Sequence, residues 1–196
     1  MSKNALIIFV KNSEIGKVKT RLAVTVGDEQ ALHIYKQLLS FTQRETAKVN
    51  VDVIVYYTSF IPENDSWAAA QNKLQSSGDL GNKMEEAFKV ELTKYSKVCI
   101  IGTDCAQLSS DIITNAFDRL QHHDFVIGPA NDGGYYLLGM KQLDSALFEG
   151  INWSTDQVLS QTIDQIKSLG KSYDLLAELI DVDTLDDWNL VRENFQ

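Results

Sequence analysis

Cysteine, proline and histidine are scarce in this sequence. The 196 residues include two cysteines and two prolines, and no Cys-x-x-Cys pair occurs. A disulfide framework is therefore excluded, and a reducing, cytoplasmic location is expected. The three histidines lie in predicted helices or at their ends. A Cys–His nucleophile pair, and with it a cysteine hydrolase built on Cys105, is disfavoured.

Positive charge and long apolar runs are also lacking. The net charge of -9 argues against nucleic acid or an anionic membrane as the main partner, because both require a positive surface. No apolar run approaches the roughly 18 residues of a membrane span. The apolar run at residues 5–10 has no cleavage site after it, so it is interpreted as a strand rather than a signal peptide.

What the chain does contain is typical of a globular protein. Hydrophobic residues make up 44% and charged residues 23% of the sequence, which excludes wholesale disorder. The length fits one domain over residues 1–196. An oligomer is compatible with the sequence, which says little about assembly.

Strand and helix patterns alternate in the first half. Continuous apolar or β-branched runs predict strands at residues 5–10, 51–57 and 97–102. Amphipathic spacing predicts helices at 27–48 and 84–95. Strands joined by helical crossovers form a parallel sheet.

The second half departs from this alternation. Strands are predicted at 124–128 and 135–140, and the short segment between them cannot hold a crossover helix. An antiparallel insertion is therefore expected, and the predicted fold class is a three-layer α/β/α domain with a mixed, mainly parallel sheet. The remaining predictions are a short helical or irregular stretch at 62–67, a helix over 112–120 with Ser109 or Ser110 as its N-cap, helices at 144–148 and 156–169, a late strand within 173–182 and a closing helix at 185–195.

A basic loop follows the first strand. The segment KNSEIGKVKTRL contains Lys11, Lys17, Lys19 and Arg21, with Glu14 as its only acid. At the carboxyl end of a parallel strand this pattern predicts binding of donor phosphates. A solvated loop that contacts no ligand fits the same pattern. The Walker A and Gly-x-Gly-x-x-Gly spacings do not occur, which disfavours P-loop NTPases and Rossmann dehydrogenases.

Acidic residues follow two other predicted strands. Asp104 comes directly after the third strand, where burying a carboxylate without a partner would be unfavourable. Mg²⁺ or Mn²⁺ would be a suitable partner, and a turn or helix cap is the alternative. Asp181 and Asp183 lie on one face of the late strand, where both could reach a metal or both could face water.

A glycine-rich segment, GPANDGGYYLLG, joins the two later strands. Asp132 offers a carboxylate, and Gly133 and Gly134 offer backbone without side chains, which suits close approach of a sugar or ribose. An Asp-Gly pair is equally typical of a plain hairpin turn.

The ordered motifs KxxxxGKVKTRL, GDLGxKM, GTDC, GPAxDGGYYLxG, LFEGIxWST and DVDT resemble the bacterial selenodomain-associated transferase family. That family is similar to nucleotide-diphospho-sugar transferases of GT-A fold, including 2-phospholactate and molybdenum-cofactor guanylyltransferases. The resemblance implies that Lys11, Lys19 and Arg21 hold the donor phosphates. It also implies that Asp104 binds the metal and, since Gly102 replaces the first Asp of the family's Asp-x-Asp motif, leaves Asp183 as a candidate second ligand.

Three positions depart from the family pattern. Ser13 and Ala106 stand where proline is common, so both loops are expected to be less rigid. Lys83 stands where arginine is usual; it keeps the charge and loses the bidentate fork.

These features together predict a metal-dependent transferase that uses a nucleotide-activated donor and an unknown small-molecule acceptor. Sugar transfer is favoured over nucleotidyl transfer, because residues 12–15 are bulkier than a Gly-rich loop and are expected to crowd a triphosphate. A non-catalytic nucleotide-binding module is the alternative of another class. The predicted site comprises Asp104 and Asp132 for chemistry; Lys11, Lys17, Lys19, Arg21, Asp79, Lys83, Gly133 and Gly134 for the donor; Trp153, Ser154 and Thr155 for the acceptor; and Asp104 and Asp183 for Mg²⁺ or Mn²⁺.

Overall fold

The computed structural model describes residues 3–63, 67 and 70–195. The stretch predicted as helical or irregular at 62–67 therefore lies partly outside the described residues. The strands are β1 (Asn4–Val10), β2 (Asp52–Tyr57), β3 (Gln71–Leu74), β4 (Lys97–Ile101), β5 (Phe125–Pro129), β6 (Tyr135–Met140) and β7 (Tyr173–Leu175). The helices are α1 (Thr20–Val26), α2 (Asp28–Thr46), α3 (Leu80–Glu91), α4 (Ser110–Arg119), α5 (Val158–Ser168) and α6 (Leu185–Val191), with 3₁₀ turns at Ser145–Phe148 and Arg192–Phe195.

One mixed sheet contains all of these strands. Its order over the described part of the chain is β3-β2-β1-β4-β6-β5-β7. β1 pairs in parallel with β2 and β4, and β2 pairs in parallel with β3. β6 runs antiparallel between β4 and β5. The predicted antiparallel insertion and the predicted three-layer fold class are both confirmed.

The residues of β1 alternate between two buried layers. Leu6 and Ile8 pack into a cluster that contains the apolar face of α4. Ala5 and Ile7 pack on the opposite side, with the apolar faces of α3 and α5. A strand covered on both faces needs apolar residues throughout, which is why residues 5–10 could be identified from sequence.

Two elements of the structure have no counterpart in the sequence prediction. β3 is polar and lacks apolar alternation; it forms because its backbone pairs with β2 at the edge of the sheet. α1 is a short helix with several β-branched residues, which favour strands. It is held by Leu22, which packs against Ala31 of α2 and Trp188 of α6.

The predicted late strand was wrong beyond Leu175. β7 ends there, and the following residues form only isolated bridges, one from Leu179 to Ala130 and one from Asp181 to Cys105. α3 begins at Leu80, before the predicted start, because the Asp79 side chain caps it. The short helix predicted at 144–148 is a 3₁₀ turn.

Among the described residues, no helix is both long enough and apolar enough to cross a bilayer.

Candidate active site

Three segments meet beyond the carboxyl ends of β1 and β4. These strands are parallel neighbours, so residues 11–19 and 102–105 leave the same edge of the sheet, where ligands bind in open α/β folds. Residues 179–183 join them from the far end of the chain. The backbone N–H of Val182 donates to the carbonyl oxygen of Asp104 at 3.1 Å. The arrangement brings sequence-distant charges into one place.

A cleft of about 540 Å³ opens at this junction. Its size is within the range of small-molecule sites. Asp156, which the sequence analysis did not name as a site residue, lines the cleft, and so does Asp181, which it named only as an acid that could reach a metal or face water. The predicted residues that line it are Lys11, Lys17, Lys19, Arg21, Asp104, Asp132, Gly134, Ser154, Thr155 and Asp183.

Two predicted donor-binding residues on or next to α3 do not line this cleft. The Asp79 carboxylate accepts a hydrogen bond from the backbone N–H of Asn82 at 2.9 Å, and the Asn82 side chain reaches back to the Asp79 N–H. This reciprocal pair is a capping box. Asp79 therefore has a structural role that needs no ligand, and Lys83 lies one turn further along the helix.

Gly133 and Trp153 support the cleft without lining it. Gly133 has a φ of 85°, and a Cβ atom there would lie 2.2 Å from the carbonyl oxygen of Asp156. Trp153 stacks on Phe148 with ring centroids 6.4 Å apart, and its indole covers Gly81 so closely that no side chain would fit. The two residues pack the loops that carry Asp132, Gly134, Ser154 and Thr155.

The Lys19 side chain is buried among three carboxylates. Its Nζ lies 2.7 Å from Oδ1 of Asp104, 3.5 Å from Oδ1 of Asp183 and 3.8 Å from Oδ1 of Asp181. Only 2% of the side chain is exposed. The backbone of Lys19 has a φ of 48° and precedes α1 as its N-cap, a conformation rare for a non-glycine residue. We call Lys19, Asp104, Asp181 and Asp183 the lysine–aspartate cluster.

The lysine–aspartate cluster contains one short ion pair and two longer ones. Nζ of Lys19 and Oδ1 of Asp104 are 2.7 Å apart, the distance of a charge-assisted hydrogen bond, whereas Oδ1 of Asp183 and of Asp181 lie at 3.5 and 3.8 Å. Oδ1 of Asp181 has no hydrogen-bond partner among the residues that the structure describes. Buried polar atoms in proteins are usually paired, so the Asp181 carboxylate stands out as poorly satisfied.

The charges of the cluster shift one another's pKa values. Burial alone would lower the pKa of Lys19, but Asp104 and Asp181 outweigh it and raise that pKa. Burial alone would raise the pKa of Asp104, but the positive charges of Lys19 and Lys11 outweigh it and lower that pKa. Burial and the Asp104 charge raise the pKa of Asp181 to about 7. Lys19 is thus a permanent cation, and the Asp181 carboxyl titrates near neutral pH.

Two further cations lie at the exposed side of the cleft. Nη1 of Arg21 is 2.9 Å from Oδ2 of Asp183, and the Arg21 side chain is 69% exposed. Nζ of Lys17 is 2.7 Å from the Glu14 carboxylate and is similarly exposed. Exposed ion pairs contribute little to stability, so both cations can exchange their partners for a ligand anion.

The basic loop is anchored by hydrogen bonds to residues that the sequence analysis did not identify. The Tyr35 hydroxyl donates to the Lys11 carbonyl oxygen at 2.7 Å. The buried Asn12 side chain accepts hydrogen bonds from Oγ1 of Thr58 at 3.0 Å and the backbone N–H of Ser59 at 2.9 Å. Its Nδ2 donates to the carbonyl oxygen of Phe60 at 2.8 Å. No local signal marks these partners, because they lie after β2, more than 40 residues away.

The carboxylates of the cluster have the chemistry of a site for a hard divalent cation. Asp104, Asp181 and Asp183 supply oxygen ligands, which Mg²⁺ and Mn²⁺ prefer, and Oδ1 of Asp181 lacks a hydrogen-bond partner among the described residues. In the described part of the chain, however, no group of three or more His, Cys, Asp or Glu side chains is arranged to hold a metal ion. The carboxylates converge on the Lys19 ammonium instead, at distances longer than the roughly 2.1 Å of a magnesium–oxygen bond.

Comparison with known proteins places this architecture in a family. Residues 41–155 match the family described as "Uncharacterized protein conserved in bacteria (DUF2064)". The chain belongs to this family.

Two curated relatives are similar along most of the chain. Both are 2-phospho-L-lactate guanylyltransferases. The protein from Methanocaldococcus vulcanius is 25% identical over 154 residues, which cover 76% of this chain and 68% of the relative. The protein from Methanothermobacter thermautotrophicus is 23% identical over 184 residues, which cover 89% and 78%.

Solved structures share the fold. A protein from Desulfovibrio desulfuricans G20, provisionally described as a nucleotide-diphospho-sugar transferase, is 31% identical, with a TM-score of 0.91 over 99% of this chain and 88% of that one. The inositol-1-phosphate CTP transferase of T. maritima is 13% identical, with a TM-score of 0.64 over 100% and 96%. Rv0371c of Mycobacterium tuberculosis, in complex with manganese, is 11% identical, with a TM-score of 0.57 over 98% and 99%. The chain thus has the fold of nucleotide-diphospho-sugar transferases and belongs with transferases of that kind.

Proposed function

We propose that this protein is a metal-dependent nucleotidyltransferase that transfers a nucleoside monophosphate from an NTP to a phosphorylated small molecule. The observation that carries the proposal is the cleft itself, where the cations of the basic loop face the carboxylates of the lysine–aspartate cluster. A polyphosphate and a divalent cation require these two kinds of charge side by side. The curated relatives, which transfer a guanylyl group, support nucleotidyl rather than sugar transfer.

In this reaction an oxygen of the acceptor attacks the α-phosphorus of the NTP. The bond between that phosphorus and the oxygen bridging to the β-phosphate breaks, and pyrophosphate leaves with the bonding electrons. Lys11, Lys17 and Arg21 would bind the phosphates and neutralise the charge that develops on the leaving group. A divalent cation held by Asp104, Asp181 and Asp183 would add Lewis-acid stabilisation of the same charge.

A second group of lining residues forms the proposed acceptor side of the cleft. Ser154 and Thr155 line it together with Asp132 and Gly134. Hydroxyl and backbone N–H groups can donate to an acceptor's oxygens. Oδ1 of Asp132 accepts a hydrogen bond from the Gly134 N–H at 2.9 Å, so its second oxygen would be the one to accept from a ribose or acceptor hydroxyl.

The sequence argument for sugar transfer depended on crowding by residues 12–15, and the structure removes its basis. None of these residues lines the cleft. Asn12 is buried beneath the loop, where it binds residues 58–60, and Glu14 pairs with Lys17 at the surface. The expectation that these side chains crowd a triphosphate therefore no longer favours sugar transfer. Sugar transfer stays the second candidate because of the relative from D. desulfuricans.

The decisive experiment compares products from two donor classes. The protein is incubated with Mn²⁺ and either mixed NTPs plus 2-phospho-L-lactate and other phosphorylated acids, or mixed nucleotide-sugars plus the same acceptors. We expect pyrophosphate from the NTPs, and we expect Asp104→Asn, which removes one charge and little volume, to abolish it while the protein stays folded. Nucleoside diphosphate from the sugar donors, with no pyrophosphate from the NTPs, would sink the proposal.

If the true acceptor is missing from the panel, no product will form even from the correct donor, so donor binding is measured as well. Thermal unfolding with Mn²⁺ and each NTP should show ligand stabilisation that Asp104→Asn loses. Stabilisation by nucleotide-sugars alone would favour the second candidate.

A further inference from the structure

The lysine–aspartate cluster is an arrangement that only one cation at a time can fill. We propose that Lys19 is a cation-exchange residue. In the metal-free protein its ammonium takes the place of the divalent cation among Asp104, Asp181 and Asp183, and it leaves this place when the cation binds. The inference rests on the proposed function only in assigning a divalent cation to the cleft.

The first reason is that the three carboxylates require a positive charge to stay together. Asp104 and Asp181 each place Oδ1 within 3.8 Å of the same Lys19 Nζ, so the two carboxylates lie close together. Like charges gathered away from water repel strongly unless an opposite charge lies between them. The Lys19 ammonium lies within 2.7–3.8 Å of all three carboxylates, so it supplies that charge.

The second reason is that Lys19 fills the place poorly. An ammonium has three N–H donors, yet of the three carboxylates around Nζ of Lys19 only Asp104, at 2.7 Å, is at a short distance. Oδ1 of Asp183 and of Asp181 lie at 3.5 and 3.8 Å, and Oδ1 of Asp181 has no hydrogen-bond partner among the described residues. A buried ion pair built as a permanent structural element normally satisfies its donors and acceptors. A divalent cation makes no demand for aligned N–H donors and prefers these oxygens.

The third reason is that the two cations cannot share the cluster. Metal ligation requires oxygen distances of about 2.1 Å, which draws the carboxylates toward the point that Lys19 Nζ now approaches. An ammonium left there would be repelled by the divalent charge. The lysine stem is long and flexible, and Lys19 lines the cleft beside Lys11 and Arg21, so the displaced ammonium still has the cleft to enter.

Cation exchange couples the metal to the donor. The displaced ammonium loses its carboxylate partners, and the donor phosphates would give it new ones. The metal should therefore bind weakly by itself and more tightly when a polyphosphate is present. By thermodynamic linkage, the metal must tighten polyphosphate binding by the same factor. This also reconciles two facts about Lys19: its motif suggests a phosphate ligand, whereas the structure pairs it with aspartates.

The test measures Mn²⁺ binding without nucleotide, by the electron paramagnetic resonance signal of free Mn²⁺. Lys19→Met removes the competing cation, so Mn²⁺ should bind at least ~5-fold more tightly than in the parent, at the lower end of typical coupling factors. Lys11→Met is the matched control, because Lys11 also acts electrostatically on Asp104 but forms no ion pair with the carboxylates of the cluster, which pair with Lys19. The effect of Lys11→Met should be smaller. Lys19→Met binding no tighter than Lys11→Met, or no binding to any variant, would overturn the proposal.

A second measurement uses the unaltered protein, in case Lys19→Met does not fold. The ¹⁵N resonances of lysine ammonium groups are recorded during a titration with Mg²⁺, and Lys19 is assigned from the spectrum of Lys19→Arg. The Lys19 resonance, protected by burial in the metal-free protein, should shift and lose protection while the Lys17 resonance stays. An unchanged Lys19 resonance at saturating Mg²⁺ would refute exchange. Neither measurement depends on transfer activity, so the exchange can hold where the proposed reaction fails, and the reverse.

Discussion

Replacing Asn12 by alanine tests whether the basic loop is held from below. The Asn12 side chain is buried and makes hydrogen bonds of 2.8, 2.9 and 3.0 Å to Phe60, Ser59 and Thr58. Each bond contributes roughly 1 kcal/mol net, so Asn12→Ala should lower the free energy of unfolding by about 3 kcal/mol. For a chain of this size, each kcal/mol shifts the melting temperature by roughly 2–4 °C. The expected decrease is therefore roughly 6–12 °C.

The assay is urea unfolding at fixed temperature, with thermal unfolding as a second measure. Ser13→Ala is the control, since Ser13 is exposed in the same loop and its loss should change stability by less than about 0.5 kcal/mol. Folded Asn12→Ala should also bind NTPs more weakly, because Lys11 loses its support. If Asn12→Ala and Ser13→Ala prove equally stable, the loop is not anchored through this side chain and our reasoning about its rigidity is wrong.

Two further predictions concern the backbone at Gly133 and the carboxylate of Glu45, which accepts from the first backbone N–H of α4. Gly133→Ala should lower the free energy of unfolding, measured in urea, by several kcal/mol more than Gly27→Ala. The two glycines have similar φ values of 85° and 82°, but an added Cβ would lie 2.2 Å from the Asp156 carbonyl oxygen at Gly133 and would meet nothing within 4 Å at Gly27. Equal losses of stability would show that the loop at Gly133 moves freely. Burial alone would raise the pKa of Glu45, but hydrogen bonds from Lys48 and the first backbone N–H of α4 outweigh it and lower that pKa. The Glu45 carboxylate therefore stabilises the fold above its unfolded-state pKa, and this stabilisation is lost as the pH falls through the lower folded-state pKa. The difference in unfolding free energy between the parent and Glu45→Gln should shrink between pH 6 and about pH 3. A difference that stays constant over this range would contradict the assignment.

The central strands and the position of the candidate cleft could be predicted from the sequence. The strands at residues 5–10, 51–57 and 97–102 are buried on both faces, so their apolar character is continuous and local. The basic loop and Asp104 could be placed at one edge of the sheet because parallel strands end there together. The chemistry of these side chains is also local information, which is why the cleft is lined by most of the predicted residues.

The partners of those side chains were decided only by the tertiary structure. β3 exists because β2 offers an unpaired edge, and α1 exists because Leu22 finds apolar neighbours on α2 and α6. Neither cause is visible in the residues of the element itself.

The same holds within the site. Arg21 and Asp183 lie 162 positions apart in the sequence and 2.9 Å apart in space. Lys19 was predicted to face phosphates and lies among three carboxylates. Residue types are known from the sequence, but the charges that meet here depend on how residues 179–183 pair with residues 104 and 105, which follow β4. Electrostatic pairing depends on distance in space, which only the folded chain defines.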